Sequence, residues 1–138
     1  MSDNNIVLIN EIYAAFNRRD YDVVLAKFAS DFEWIAADSS PLADQSPYHG
    51  IDQVRTGVFD RIAAGFERLE VVADELFAAD GDRVVVLGHY HGRFRGGRED
   101  FRTQVAHIWT VKDGQAVRFQ QYLDTLKVST DAAKLAGS

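Results

Sequence analysis

The segment QVAHIWTV at residues 104–111 alternates side chains that suit the two faces of a β-strand. One face carries Val105, His107, Trp109 and Val111, and its apolar content predicts that it is the inner face. An Asp-Gly pair follows at residues 113–114, and such pairs allow the positive φ angles of tight hairpins. The segment therefore predicts a long strand of an antiparallel sheet, with the imidazole of His107 pointing into the protein.

Similar turn signals divide the rest of the C-terminal half into strands. Asp-Gly at residues 80–81 and Gly-Gly at residues 96–97 separate further alternating segments. We predict an antiparallel meander of four strands, at residues 69–78, 83–95, 98–112 and 115–124, and a short earlier strand at residues 32–36. Strands of this length coil strongly through their intrinsic twist.

Three helices are predicted before the meander. Apolar residues recur every three or four positions over residues 6–16 and again over residues 51–62, which follow Gly50. Asp20 fits the N-cap of a shorter helix between them, and the apolar face of that helix includes Phe28. The predicted fold class is α+β, with helices packed on one face of a strongly curved antiparallel sheet. A coiled sheet closed by helices makes a cone, and a cone has room for a pocket.

Composition and charge limit the classes of function. A chain of 138 residues with 46% hydrophobic residues predicts a single domain over residues 1–138. The net charge of -6 argues against a nucleic-acid partner, although four arginines lie close together, at positions 93, 95, 98 and 102. No apolar run is long enough to cross a bilayer, and the N-terminus lacks a secretory signal. We therefore expect a cytoplasmic protein with no membrane partner.

Cysteine and histidine usage narrows the available chemistry. The chain contains no cysteine, which excludes disulfides, thiolate catalysis and cysteine-bound metals. His89 and His91 share one face of a strand and, with Glu99, invite a metal-site interpretation. A metal site of the cupin kind would need a second histidine motif downstream, and a cupin barrel does not suit three N-terminal helices. Both points argue against that interpretation. We predict no metal and no cofactor, and we expect these histidines to face solvent or a dimer partner.

Several motifs carry a family resemblance. They are IYAAFNRRD at residues 12–20, FASDFEW at 28–34, YHGI at 48–51, WTVKDG at 109–114 and YLD at 122–124. Through them the chain resembles the SnoaL-like and ketosteroid-isomerase-like proteins of the NTF2-like superfamily. The resemblance implies a cone-shaped fold with an apolar pocket, and a homodimer formed through the outer face of the sheet. It does not imply one activity, because the superfamily includes isomerases, cyclases, epoxide hydrolases and transport factors.

The resemblance also implies candidate catalytic residues. In the isomerase-like members a carboxylate near the end of the first strand moves a proton, while a tyrosine of the first helix and a carboxyl on the sheet stabilise an enolate. Asp38 and Tyr13 lie near the first two positions, and His107 occupies the third. Cyclases place an acidic residue late in the sheet, where this chain has Gln121, with Asp124 three residues later.

Two hypotheses follow for the function. In the first, the pocket binds a small hydrophobic carbonyl or ring compound and moves a proton, with His107 as acid or base and Asp38 or Tyr13 assisting. The predicted binding residues are Trp34, Trp109, Phe119, Gln121, Tyr122 and Asp124. In the alternative, the protein is a non-catalytic binding or dimerisation module, and a core partner satisfies His107. The register of the last strand leaves open whether Gln121 or Tyr122 points inward.

Overall fold

A computed structural model of the protein describes residues 2–37 and 43–123, apart from the side chains of residues 2 and 3. Within these residues the helices are α1 (Ser2–Asn17), α2 (Tyr21–Ala26), α3 (Gly50–Val54) and α4 (Asp60–Gly65), with a π-helical turn at Arg55–Phe59. The strands are β1 (Phe28–Ile35), β2 (Tyr48–His49), β3 (Phe66–Ala79), β4 (Arg83–Phe94), β5 (Phe101–Lys112) and β6 (Gln115–Leu123). None of these helices is both long enough and apolar enough to span a bilayer.

The strands form one curved sheet in the order β2-β1-β6-β5-β4-β3. Strands β3 to β6 make the antiparallel meander predicted from the turn dipeptides, and the α+β class is confirmed. Gly81, Asp113 and Gly114 have φ angles of 76°, 52° and 77°, as tight hairpins require. Strand β1 joins the sheet by pairing in parallel with β6.

Two glycines let β3 approach β4 closely. Gly88 and Gly92 lie on the inner side of β4, and a Cβ atom at either position would collide with a backbone carbonyl oxygen of β3. The pairing of β3 with β4 also contains register shifts, which bend the strand. As a result β3 wraps toward the helices, and a hollow remains between the helices and the inner face of the sheet.

Helix α1 is attached to the edge strand β3 through Asn17. The side-chain amide of Asn17 donates to the carbonyl oxygen of Val71 (2.9 Å), and its oxygen accepts from the Val71 amide (2.9 Å). Because β3 is the last strand of the sheet, no neighbouring strand is available to these two backbone groups. Asn17 takes the place of that strand and fixes how α1 lies across the sheet.

The second helix ends earlier than predicted. Phe28, expected on its apolar face, is instead the first residue of β1, where it pairs with Ala116 of β6. Lys27 is the C-cap of α2, and its carbonyl oxygen accepts a hydrogen bond from the Ala116 amide (3.0 Å). This long-range pairing outweighs the local helical periodicity.

Three of the four clustered arginines contact other residues of the chain, and Arg102 does so through Nδ1 of His89 (3.4 Å). Arg93 donates to the carboxylate of Asp100 (2.9 Å). Arg95 donates to the carbonyl oxygens of Ala63 (2.9 Å) and Ala64 (3.0 Å) at the C-terminus of α4. These two cations therefore stabilise the hairpin and the end of the helix.

Candidate functional site

A cavity of about 290 Å³ lies between the inner face of the sheet and the helices. Its wall is mostly apolar and includes the rings of Phe16, Phe59, Trp34, Phe94, Trp109 and Phe119. Apart from the two tryptophans, the polar side chains in the wall are Tyr13, Tyr90, His107, Gln121 and Arg61. Arg61 is partly exposed and forms an ion pair with Asp44 (2.7 Å), so its charge lies toward solvent. The interior of the cavity is therefore apolar except for one group of polar side chains.

His107 is at the centre of this polar group. It projects from the inner face of β5 and is only 2% exposed. Its Nδ1 lies 2.7 Å from the hydroxyl oxygen of Tyr13, and its Nε2 lies 2.8 Å from the hydroxyl oxygen of Tyr90. Both ring nitrogens are thus engaged by phenol groups, one from α1 and one from β4.

Further hydrogen bonds hold the two phenols in place. The indole N–H of Trp109 donates to the Tyr13 hydroxyl (2.9 Å), and the side-chain amide of Gln121 donates to the Tyr90 hydroxyl (2.7 Å). Gln121 in turn accepts from the backbone amide of Ala37 (3.1 Å). Tyr13, Tyr90, His107 and Gln121 therefore each have two hydrogen-bond partners, as buried polar side chains usually require.

Strand register accounts for the network. His107 of β5 is directly paired with Gln121 of β6, so both side chains lie on the inner face of the sheet. Tyr90 lies on the same face of β4. Tyr13 reaches the imidazole from the buried side of α1. The network thus joins three neighbouring strands to the first helix.

Burial keeps the network uncharged at neutral pH. Desolvation lowers the pKa of His107 from 6.5 to about 3. Burial raises the pKa of Tyr90 and that of Tyr13 well above the usual range, although the hydrogen bond from Trp109 partly offsets the shift at Tyr13. The imidazole is therefore a neutral group that both donates and accepts, and both phenols keep their protons.

Six of the predicted site residues line the cavity: Tyr13, Trp34, His107, Trp109, Phe119 and Gln121. The structure also decides the register of the last strand, because Gln121 is buried while Tyr122 is 50% exposed on the outer face. Tyr122, predicted as a binding residue, does not line this cavity, since adjacent residues of a strand face opposite sides. Asp38 and Asp124 lie outside the described residues.

Sequence reasoning missed Tyr90, whose signal lies in the motif HYH at residues 89–91. The histidines of this motif drew attention as metal ligands, but they are on the outer face, where His89 contacts Asp74 (3.3 Å) and His91 contacts Asp100 (3.6 Å). Strand alternation then places the tyrosine between them on the inner face. Among the described residues, no three His, Asp or Glu side chains lie close enough together to hold a metal ion.

Comparisons with known proteins bear on the family and the fold. Residues 9–119 match the family model of the SnoaL-like domain. An NTF2-like protein from Burkholderia thailandensis is 31% identical, with a TM-score of 0.82 over 93% of this chain and 96% of its own. An NTF2-like protein of unknown function from Burkholderia pseudomallei is 32% identical, with a TM-score of 0.83 over 94% of this chain and 97% of its own.

A third similar structure is that of TerC, which was co-crystallised with polyporic acid. It is 25% identical, with a TM-score of 0.80 over 92% of this chain and 96% of its own. No curated protein matches the chain. The match to the family model covers most of the sequence, and the chain therefore belongs to the SnoaL-like family, with the NTF2-like fold.

Proposed function

We propose that the cavity binds a small hydrophobic ring compound, with the polar substituent of the ligand directed at the network around His107. The observation that carries this proposal is the single polar group in an otherwise apolar cavity, formed by Tyr13, Tyr90, His107 and Gln121. An apolar wall with a few convergent polar groups is typical of small-molecule sites. Contact with the aromatic wall supplies affinity, and the polar group orients the ligand.

The size of the cavity favours a compact aromatic ligand. A volume of about 290 Å³ is at the lower end of the range for ligand sites. TerC, which is 25% identical and was co-crystallised with polyporic acid, supports a cavity that binds a small molecule. Burial of apolar ligand surface favours such a complex, although the ordering of ligand and protein offsets part of the gain.

Proton transfer on the bound compound is the second candidate function, with the carboxylate of Asp38 as the proposed base that takes the proton. His107 is not the acid at neutral pH in this proposal, because burial lowers its pKa to about 3 and both nitrogens are hydrogen-bonded. The observation that favours catalysis is the pair of buried phenol hydroxyls, on Tyr13 and Tyr90, in the cavity wall. A fixed hydroxyl in a site that excludes water stabilises an oxygen on which negative charge develops. His107 then positions the phenols.

We also propose that the protein forms a homodimer through the outer face of the sheet. Of the large hydrophobic residues described as exposed, Val72, Phe77, Leu87 and Tyr122 are on this face, and Val7 on α1 is the fifth. Leu87 and Tyr122 both pair with Ala106 of β5, so they lie in one row across the sheet. An apolar row of this kind is suited to a second copy of the same surface.

Tryptophan fluorescence gives a direct test of ligand binding. The chain contains two tryptophans, Trp34 and Trp109, and both line the cavity. We expect polyporic acid to quench their emission with a saturable curve. Ile62→Phe replaces an aliphatic side chain of the cavity wall with a bulkier phenyl ring, which reduces the space for the ligand. This variant should weaken binding by about tenfold, which corresponds to ~1.4 kcal/mol. Val7→Phe, on the exposed side of α1, is the matched control and should bind like the wild type.

Quenching that stays linear with concentration in all three proteins would contradict the binding proposal. Melting curves recorded for each variant separate a loss of binding from a loss of folding. Catalysis needs its own measurement, in which bound compounds are incubated with the protein and analysed by mass spectrometry and NMR for rearranged products.

A further inference from the structure

Two hydrogen bonds in the network have a fixed direction. The indole nitrogen of Trp109 can only donate, so the Tyr13 oxygen accepts from it. The backbone amide of Ala37 can only donate to the oxygen of Gln121, which leaves the Gln121 nitrogen to donate to the Tyr90 oxygen. Each phenol oxygen therefore already accepts one hydrogen bond before His107 is considered.

The neutral imidazole then allows two arrangements, because it carries one hydrogen on either Nδ1 or Nε2. With the hydrogen on Nε2, His107 donates to Tyr90 and accepts from Tyr13. With the hydrogen on Nδ1, His107 donates to Tyr13 and accepts from Tyr90. Both arrangements form the same four hydrogen bonds around the two phenols.

One hydroxyl hydrogen remains in either arrangement. It is on Tyr90 in the first and on Tyr13 in the second, and no described residue outside these four bonds accepts it. Both phenols line the cavity. The remaining hydrogen is therefore available to a molecule in the cavity, at one side of the imidazole or at the other.

We infer that Tyr13, His107 and Tyr90 form a hydrogen-bond donor that switches between two positions through the tautomers of the imidazole, and that the cavity selects ligands carrying an acceptor oxygen, such as aromatic ketones and quinones. This inference rests on the proposed binding function. It adds the chemical class of the ligand substituent, and it explains why a neutral histidine, rather than a charged residue, stands between two phenols.

The tautomers can be measured without any ligand. In protein labelled with nitrogen-15 at histidine, the signals of His107 are assigned by their loss in His107→Gln. Because the two arrangements form equal numbers of hydrogen bonds, we expect both ring nitrogens to have shifts between the protonated and unprotonated limits at neutral pH. One fully protonated and one bare nitrogen would overturn the switch.

Ligand selection is tested with benzophenone and diphenylmethane, which differ only in the carbonyl group. We expect calorimetry to show benzophenone binding about 3- to 10-fold more tightly to the wild type, the usual effect of one added hydrogen bond. We also expect the carbonyl stretch of bound benzophenone to move to lower frequency. Equal affinity of the two probes would overturn the inferred ligand class and leave the binding proposal standing. Failure of both probes and of polyporic acid to bind would contradict the binding proposal itself.

Variants separate a switching donor from a fixed one. Tyr13→Phe and Tyr90→Phe each confine the donor to the remaining hydroxyl, so each should reduce the preference for benzophenone in part, and the double variant should abolish it. A fixed donor would instead lose the whole preference in one single variant and none in the other, which would overturn the switch. Tyr21→Phe, whose hydroxyl is outside the network, is the matched control.

Discussion

At residue 107, burial disfavours the protonated form of the imidazole. The unfolded chain binds a proton at this side chain near the ordinary histidine pKa of 6.5, whereas burial lowers the pKa in the folded protein to about 3. Between these values the unfolded state carries one more proton than the folded state. The stability due to this group is therefore complete above the unfolded pKa and is lost as the pH falls toward the folded value.

We predict a pH-dependent free energy of unfolding with this origin. As the pH falls from about 6.5 to about 4, His107 should lower the free energy of unfolding by ~1.4 kcal/mol for each pH unit. Urea denaturation at several pH values measures this slope. His107→Gln removes the titrating group and should reduce the slope by that amount, while His49→Gln, at an exposed histidine, should keep it. Equal slopes in the wild type and His107→Gln would show that the imidazole is not buried in neutral form.

The residues of the site were predictable to different degrees. The inward direction of His107 followed from strand alternation alone, because Val105 and Trp109 mark the same face. Its partners did not follow, since the contact with Tyr13 joins residues 94 positions apart and depends on how α1 lies across the sheet. Tyr90 was within reach of the alternation argument, but the flanking histidines drew the interpretation to the opposite face.

Among the secondary-structure elements, those with local signals were predicted well. The hairpins at Gly81 and Gly114 follow from turn chemistry that a few residues contain. The start of β1 at Phe28 and its parallel pairing with β6 depend on contacts with distant residues, so periodicity gave the wrong element. Helical periodicity likewise does not predict the π-helical turn at Arg55–Phe59. Within this turn, Gly57 packs closely against the ring of Tyr48.

The contact between α1 and β3 supports a prediction about stability. Asn17→Ala leaves the N–H and carbonyl groups of Val71 without their side-chain partner, and an unpaired, partly buried polar group costs ~1–3 kcal/mol. We expect Asn17→Ala to lower the free energy of unfolding by an amount in this range. Hydrogen exchange at the Val71 amide should also become faster, because its acceptor is removed.

Asn10→Ala is the matched control, since Asn10 is an exposed asparagine on the same helix. Alanine favours helix formation, so this variant should be as stable as the wild type or slightly more stable. Equal stability of the two alanine variants would contradict the bridging role of Asn17. It would mean that packing of α1, rather than its amide contact, attaches the helix to the edge strand.

For the whole molecule, the proposed dimer predicts a mass of about twice the 15.5 kDa of one chain in sedimentation or light scattering. Leu87→Glu places a carboxylate in the exposed apolar row of the outer face, and two-fold symmetry would introduce it twice into the interface. A charge buried without a partner is strongly unfavourable, so the variant should be monomeric at concentrations where the wild type is dimeric. Val7→Glu makes the same change at the exposed apolar residue of α1 and should leave the dimer intact. A wild type that sediments as a monomer would contradict the proposed dimer. A dimeric wild type with Leu87→Glu and Val7→Glu proteins of equal mass would place the interface elsewhere.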